Sequence, residues 1–248
     1  MSFLRKLDVL RQSVRLIGLG QTWRWTLRRA LLWPLDLLSP QPYSPTLDTS
    51  FDQQYGTDTA GTVLPSRLGI ADASAGAHAS EYEAAPARVS RLLLASTGVD
   101  PTEFTFVDYG CGKGRVLLLA SELPFKKIVG IDISKAMCDI AKANVSTFSS
   151  PAQRCADIEV VCADAREYRL PPTDTVFYLY HPFDTDILAS VLKNMEQSLL
   201  DRPRRVYVLY LCPFPNVIRV FDECRFLKIR RLVPCLNSQY SWALFSNE

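Results

Sequence analysis

Histidine is nearly absent from this chain: only His78 and His181 occur in 248 residues. The seven cysteines (Cys111, Cys138, Cys155, Cys162, Cys212, Cys224 and Cys235) contain no Cys-x-x-Cys pair, so the spacing of a zinc site is missing. Seven is also an odd number, which does not suit a disulfide framework. Most sit in apolar runs such as Leu209-Tyr210-Leu211-Cys212 and read as small buried hydrophobes in a reducing, cytoplasmic setting. Long apolar runs are lacking too. The best candidate, Ala30 to Leu38, is broken by Pro34 and Asp36 and falls far short of the roughly 20 residues of a membrane helix. Arg5, Lys6, Arg11 and Arg15 interrupt the N-terminal stretch, so no signal-peptide core is expected. Charge of one sign is scarce: 28 Lys+Arg face 26 Asp+Glu, a net +2, which argues against a dedicated nucleic-acid binder. What is present, 48% hydrophobic and 22% charged residues, excludes a disordered chain. The length suits one α/β domain with an appendage.

The charge is unevenly placed. Residues 1–40 carry seven Lys/Arg against two Asp, a surplus of +5 that leaves −3 for residues 41–248. Residues 1–38 form a basic amphipathic helical extension in which Leu4, Leu7, Leu10, Val14 and Ile17 recur at helical spacing and Trp23, Trp25 and Trp33 accompany Arg24, Arg28 and Arg29. Such a segment fits an interfacial helix on anionic lipid, and equally a helical lid packed on the main domain. A presequence is a third reading. Residues 39–79 read as a linker or lid, because Pro and Gly at this density discourage regular elements.

From residue 80 onward the pattern changes to alternating elements. Helices are predicted over Ala87–Thr97, Arg115–Leu123, Ala136–Val145 and Ile187–Leu200. Strands are predicted over Phe104–Tyr109, Lys127–Ile131, Ile158–Cys162, Val176–Tyr180, Val206–Leu211, Phe226–Leu232 and Tyr240–Phe245. Alternating β and α implies a mostly parallel sheet with helices on both faces. The last two strands have a short connection and are expected to pair antiparallel at an edge.

The strongest chemical signal is Asp108-Tyr109-Gly110-Cys111-Gly112-Lys113-Gly114-Arg115, between a strand and a helix. Glycines there let the backbone turn sharply and approach a ligand. The spacing departs from the dinucleotide fingerprint, and Gly114 stands where a P-loop needs Ser or Thr. An acid ahead of the turn would repel a pyrophosphate and suits a ligand carrying an ammonium.

These residues resemble the first motif of the seven-strand, class I S-adenosyl-L-methionine-dependent methyltransferases, over about residues 80–248. The resemblance implies a Rossmann-like seven-stranded sheet, S-adenosyl-L-methionine as cofactor, and a glycine loop (Gly110, Cys111, Gly112, Gly114) cradling its methionine half. Asp108 would hold the ammonium. Asp132, with Ile133 after it, would take the ribose hydroxyls at the end of the second strand. Asp164 would accept from the adenine amino group while the Ala165 backbone meets the ring; Asp164 also suits a helix N-cap. Tyr82, in Ser80-Glu81-Tyr82-Glu83-Ala84-Ala85-Pro86, is expected near the methionine end, and Phe51 to Thr59 resembles a lid or substrate element of related bacterial enzymes.

The acceptor end is expected at Tyr180-His181-Pro182-Phe183. Relatives that methylate planar nitrogens carry Asp or Asn, two prolines and an aromatic there; His181 and a single proline depart from that pattern, which disfavours DNA bases. Tyr180, His181 and Phe183 are the catalytic candidates, with His181 either a general base or an orienting group. The expected function is methyl transfer to a nitrogen or oxygen of an acceptor, protein lysine or a small molecule or lipid, without specific nucleic-acid binding. The competing reading is a non-catalytic adapter of the same fold that touches a partner or membrane through residues 1–38.

Overall fold

In a computed structural model, residues 49–70, 72, 76–233 and 241–248 are described. The extension at 1–38 therefore lies outside the described residues, as does Cys235. In chain order the elements are α1 (Ser50–Tyr55), β1 (Thr62–Val63), β2 (Tyr82–Glu83), α2 (Ala87–Ala95), β3 (Thr105–Tyr109), α3 (Arg115–Ala120), β4 (Lys127–Asp132), α4 (Lys135–Thr147), β5 (Ile158–Cys162), β6 (Thr175–Tyr180), α5 (Thr185–Asp201), β7 (Val206–Leu211), α6 (Pro215–Glu223), β8 (Lys228–Val233) and β9 (Trp242–Ser246).

Seven strands form one sheet in the order β5-β4-β3-β6-β7-β9-β8. The first five are parallel, and β9 runs antiparallel to both β7 and β8. The antiparallel strand thus stands one place in from the edge. The strand order reverses at β3 and β6, and the crevice above their carboxyl ends is where open α/β sheets bind ligands.

Each strand feeds two cores. Phe106, Val176 and Tyr178 point to one face with Leu93 of α2, Leu117 of α3 and Ala141 of α4. Val107, Phe177 and Leu179 point to the other with Leu188 of α5 and Phe221 of α6. Because both faces are covered, Val176–Tyr180 of β6 reads as a continuous apolar run, as buried parallel strands do, and in β3 Asp108 alone interrupts Phe106–Tyr109. Helix α5 shows how sequence sets the packing. Asp184 caps it by accepting from the Asp186 and Ile187 amides at 3.1 Å, and Ile187, Leu188, Val191, Leu192, Met195 and Leu199 form its buried stripe. Leu192→Ala would remove about 2–5 kcal/mol of stability.

The stretch read as linker holds regular structure. Helix α1 ends at left-handed Gly56 and buries Phe51 against Phe148, while β1 pairs with β2. Its proline and glycine punctuate short elements rather than prevent them. Asp52 holds the following turn, accepting from Thr57 Oγ1, Thr59 N and Oγ1, and Ala60 N. Of the described cysteines, Cys162 is exposed, so not every cysteine in an apolar run is a buried hydrophobe; it ends the edge strand β5.

Candidate functional site

A cleft with about 1000 Å³ of open space, solvent at its mouth included, lies over the carboxyl ends of β3, β4, β5 and β6. Asp108, Asp132 and Asp164 line it, together with Gly110, Cys111, Gly112, Ile133, Ala165, Tyr82, Tyr180 and Phe183. Residues up to 100 apart in sequence converge because consecutive parallel strands end on one side of the sheet.

The glycine loop is built around left-handed backbone. Gly110 has φ +74° and Gly112 φ +52°. A Cβ on Gly110 would stand 2.3 Å from Cβ of Pro182, and one on Gly112 would stand 2.3 Å from the Tyr82 ring. The loop is pinned to the end of β4: the Gly110 and Cys111 amides donate to the Ile131 carbonyl at 2.8 and 3.0 Å, and the Gly112 amide donates to Asp132 Oδ2 at 2.9 Å. Gly114 differs from its reading as a close-approach position. It does not line the cleft; its added Cβ would meet Ala141 at 3.2 Å, so it sets the approach of α3 to α4.

The three carboxylates have different surroundings. Asp108 is 3% exposed, and burial, then the nearby Asp132 charge, push its pKa well above the usual carboxylate value. Asp132 is raised by burial although the Ser134, Gly112 and Ile133 amides oppose the rise. Its two oxygens accept from Ser134 N at 2.8 Å and Gly112 N at 2.9 Å. A carboxylate offers about four acceptor positions, so it keeps capacity for ligand hydroxyls. Asp164 is held by Arg166, whose Nη2 lies 2.6 Å from Oδ2 and whose amide donates to Oδ1 at 2.8 Å. That hydrogen bonding lowers its pKa. No helix follows Asp164, so it closes a turn rather than capping a helix.

At the far end, Tyr180, Pro182 and Phe183 line the cleft and His181 does not. His181 turns left-handed, φ +44°. Its Nδ1 lies 3.2 Å from the Tyr210 hydroxyl and its ring packs edge-on against Phe214 at 4.7 Å. Burial lowers its pKa, which keeps the ring neutral at neutral pH. The left-handed turn sends the imidazole toward β7 and α6 while its neighbours face the cleft.

Sequence reasoning missed His78, Arg115 and Arg166, all lining residues. His78 lies on a strap, residues 78–83, that crosses the cleft. Ser80 N donates to the Pro182 carbonyl and Asp184 N to the His78 carbonyl, both at 3.2 Å, and Ala79 bridges Phe183. The Tyr82 hydroxyl donates to the Thr59 carbonyl at 2.6 Å, fixing the ring over Gly112. His78 gave no signal in sequence because its Ala/Ser/Gly surroundings resemble a linker. Arg115 is 2% exposed and donates from Nε to Thr59 Oγ1 at 2.7 Å. Its clue was an arginine at the start of an apolar helix.

Residues 106–201 match the family model described as "Methyltransferase domain". No curated protein matches the chain. Solved structures similar to it include precorrin-6y C5,15-methyltransferase from Geobacter metallireducens GS-15, with 13% identity, TM-score 0.49 and coverage of 64% of this chain and 88% of that one. A SAM-dependent methyltransferase from Aquifex aeolicus has 15% identity, TM-score 0.48 and coverage of 65% and 93%. Ribosomal protein L11 methylase from Lactobacillus delbrueckii subsp. bulgaricus has 16% identity, TM-score 0.48 and coverage of 64% and 76%.

Proposed function

We propose that this protein, whose residues 106–201 match the methyltransferase-domain family model within a seven-stranded, mostly parallel sheet, transfers a methyl group from S-adenosyl-L-methionine to a nitrogen or oxygen of an acceptor entering beside Phe183. The observation that carries the reading is the convergence of Asp108, Asp132, Asp164 and the glycine loop on one cleft. The residues fit the cofactor. Gly110 and Gly112 leave no room for side chains, Asp132 keeps acceptor positions beyond its two amide bonds, and Asp108 is a buried carboxyl that a ligand ammonium would ionise.

When bound, S-adenosyl-L-methionine supplies a methyl already activated on a sulfonium. Asp108 and the glycine loop would hold the amino-acid part, Asp132 the ribose hydroxyls, and Asp164 with Ala165 the base. Arg166 already takes part of Asp164, so the adenine contact is shared. Tyr180, Pro182 and Phe183 would form the wall that orients the acceptor. Alignment of the nucleophile supplies most of the rate effect in such a transfer. Protein lysine, a small molecule and a lipid group remain within this acceptor class, because acceptor loops vary freely on one fold.

The test has two arms. Calorimetry should find micromolar binding of S-adenosyl-L-homocysteine, and tritiated methyl should pass from the cofactor into source-cell extract. Binding without transfer would favour the adapter reading, and absence of binding would overturn the proposal.

The reading extends to residues 1–38, whose three Trp and charge surplus of +5 support peripheral contact with anionic membrane. Each cation near such a surface contributes on the order of 1 kcal/mol. The full-length protein should pellet with anionic liposomes, salt should release it, and deletion of 1–38 should abolish pelleting while leaving cofactor binding. Among the described residues no helix is long and apolar enough to cross a membrane.

A further inference from the structure

His78 and Asp184 face each other across the strap and the start of α5, with His78 Nδ1 2.5 Å from Asp184 Oδ2. The two side chains are 38% and 43% exposed, open enough to meet a ligand. His78 is among the residues that line the cleft, next to Ala79, which bridges Phe183. Its backbone is fixed as well, since its carbonyl accepts from the Asp184 amide. Asp184 is held in turn: Oδ1 accepts from the Asp186 and Ile187 amides at 3.1 Å while Oδ2 meets the imidazole. Burial pushes Asp184 up, but the His78 hydrogen bond and the two amides outweigh it, and its pKa falls. It is an ionised carboxylate at neutral pH.

In a neutral imidazole, a carboxylate at Nδ1 selects the tautomer with the proton on Nδ1 and leaves Nε2 as a lone pair. Among the described residues Nε2 has no hydrogen-bond partner, whereas the His181 ring is occupied by Tyr210 and Phe214 outside the lining. The arrangement is the base-plus-orienter logic of general-base catalysis.

We propose that His78 is the general base for the acceptor and Asp184 its positioning residue, so that the acceptor class is one with a proton to lose, a hydroxyl or an ammonium. This rests on the methyltransferase reading. In the transfer, the acceptor's O–H or N–H bond breaks and its proton moves to His78 Nε2. The acceptor atom bonds to the methyl carbon as the carbon–sulfur bond breaks, its electron pair staying on sulfur as a neutral thioether. The positive charge lost by sulfur ends on the imidazolium, beside the Asp184 carboxylate, when the acceptor is a neutral hydroxyl.

The proposal has a readout that needs no turnover. With only two histidines in the chain, ¹⁵N NMR of the cofactor-free protein, assigned with His181→Ala, should find His78 carrying its proton on Nδ1 with Nε2 bare, and Asp184→Asn should disturb this state. The opposite tautomer would overturn the assignment. In the tritiated-methyl assay, His78→Ala should lower the initial rate by about 10²- to 10⁴-fold. Its affinity for S-adenosyl-L-homocysteine should stay within about threefold, and added imidazole should restore part of the rate. Asp184→Asn should lower the rate by a smaller factor without loss of fold, because asparagine caps a helix as well as aspartate; Asp184→Glu should recover some of it. A His78→Ala rate near wild type, or a larger loss in His181→Ala than in His78→Ala, would overturn the proposal while leaving the methyltransferase reading intact. A wild-type protein that neither binds S-adenosyl-L-homocysteine nor transfers label would overturn that reading first.

Discussion

Two stretches at the carboxyl edge of the sheet solve the same backbone problem with different residues. Between β3 and α3 the chain turns left-handed on Gly110 and Gly112, where a side chain would collide with Pro182 or Tyr82. After β6 and β7 it turns left-handed on His181, φ +44°, and Cys212, φ +56°, residues that carry side chains. The glycine end is close-packed and cross-linked to Asp132. The other end keeps bulk at strained positions, placing His181 against Tyr210 and Phe214. Left-handed backbone at a non-glycine residue is held by its surroundings rather than by its own preference. One end is therefore defined by what must be missing, the other by what must be present.

Adding an atom at the glycine end should do the most damage. Gly110→Ala combines the left-handed strain with a clash at 2.3 Å and should cost about 2–5 kcal/mol. Thermal melting should register it, and S-adenosyl-L-homocysteine affinity should fall with it. Next comes Asp132→Ala, which removes the acceptor of the Gly112 amide and the one proposed for the ribose; calorimetry should show cofactor affinity reduced by about 1.5–3 kcal/mol.

Asp108→Asn should have two effects of opposite sign. A carboxyl whose folded pKa is raised binds its proton more tightly in the folded state. Stability is therefore lowest above the raised value and recovers as pH falls through it toward the ordinary carboxylate range. Cofactor-free Asp108→Asn should melt higher than wild type at neutral pH, with the gap closing on acidification, yet bind the cofactor about tenfold more weakly. Equal melting across that window would remove the buried-charge account.

The smallest effects are expected where contacts are exposed or strain is relieved. Arg166→Ala breaks a pair in which the arginine is 39% exposed, so stability should change by under about 1 kcal/mol, while Asp164 becomes free for the base and cofactor affinity should hold or rise. Cys212→Gly should shift stability by no more than about 1 kcal/mol, because relief of the left-handed turn offsets the entropy of an added glycine. A large loss there would mean that the second strained end is as intolerant as the glycine loop.

What could be read in the sequence follows the same division. The alternating elements were legible because buried parallel strands such as Val176–Tyr180 and Val206–Leu211 are continuous apolar runs, and the glycine loop and Asp132 carry their signal within about 25 residues. Helix α6 was missed, since Pro213 and Pro215 around Phe214 resemble loop punctuation although Pro215 opens the helix. Asp164 was placed in the cleft but not its partner Arg166, because an i, i+2 pair has no distinctive spacing. His78 was invisible for a different reason. Its meaning comes from Asp184, 106 residues away, and only the strap's pairing with Phe183 brings the two together.

That strap also bears on traffic. Its His78 end is fastened across the cleft by two backbone hydrogen bonds and the His78–Asp184 contact, each with a net strength on the order of 1 kcal/mol, while its Tyr82 end is tied to Thr59 and to β1. Raising the His78 end alone thus costs roughly 2–3 kcal/mol, which leaves on the order of 1% of molecules raised there at any instant. A ligand that needs that end raised would enter and leave about two orders of magnitude more slowly than through an open cleft.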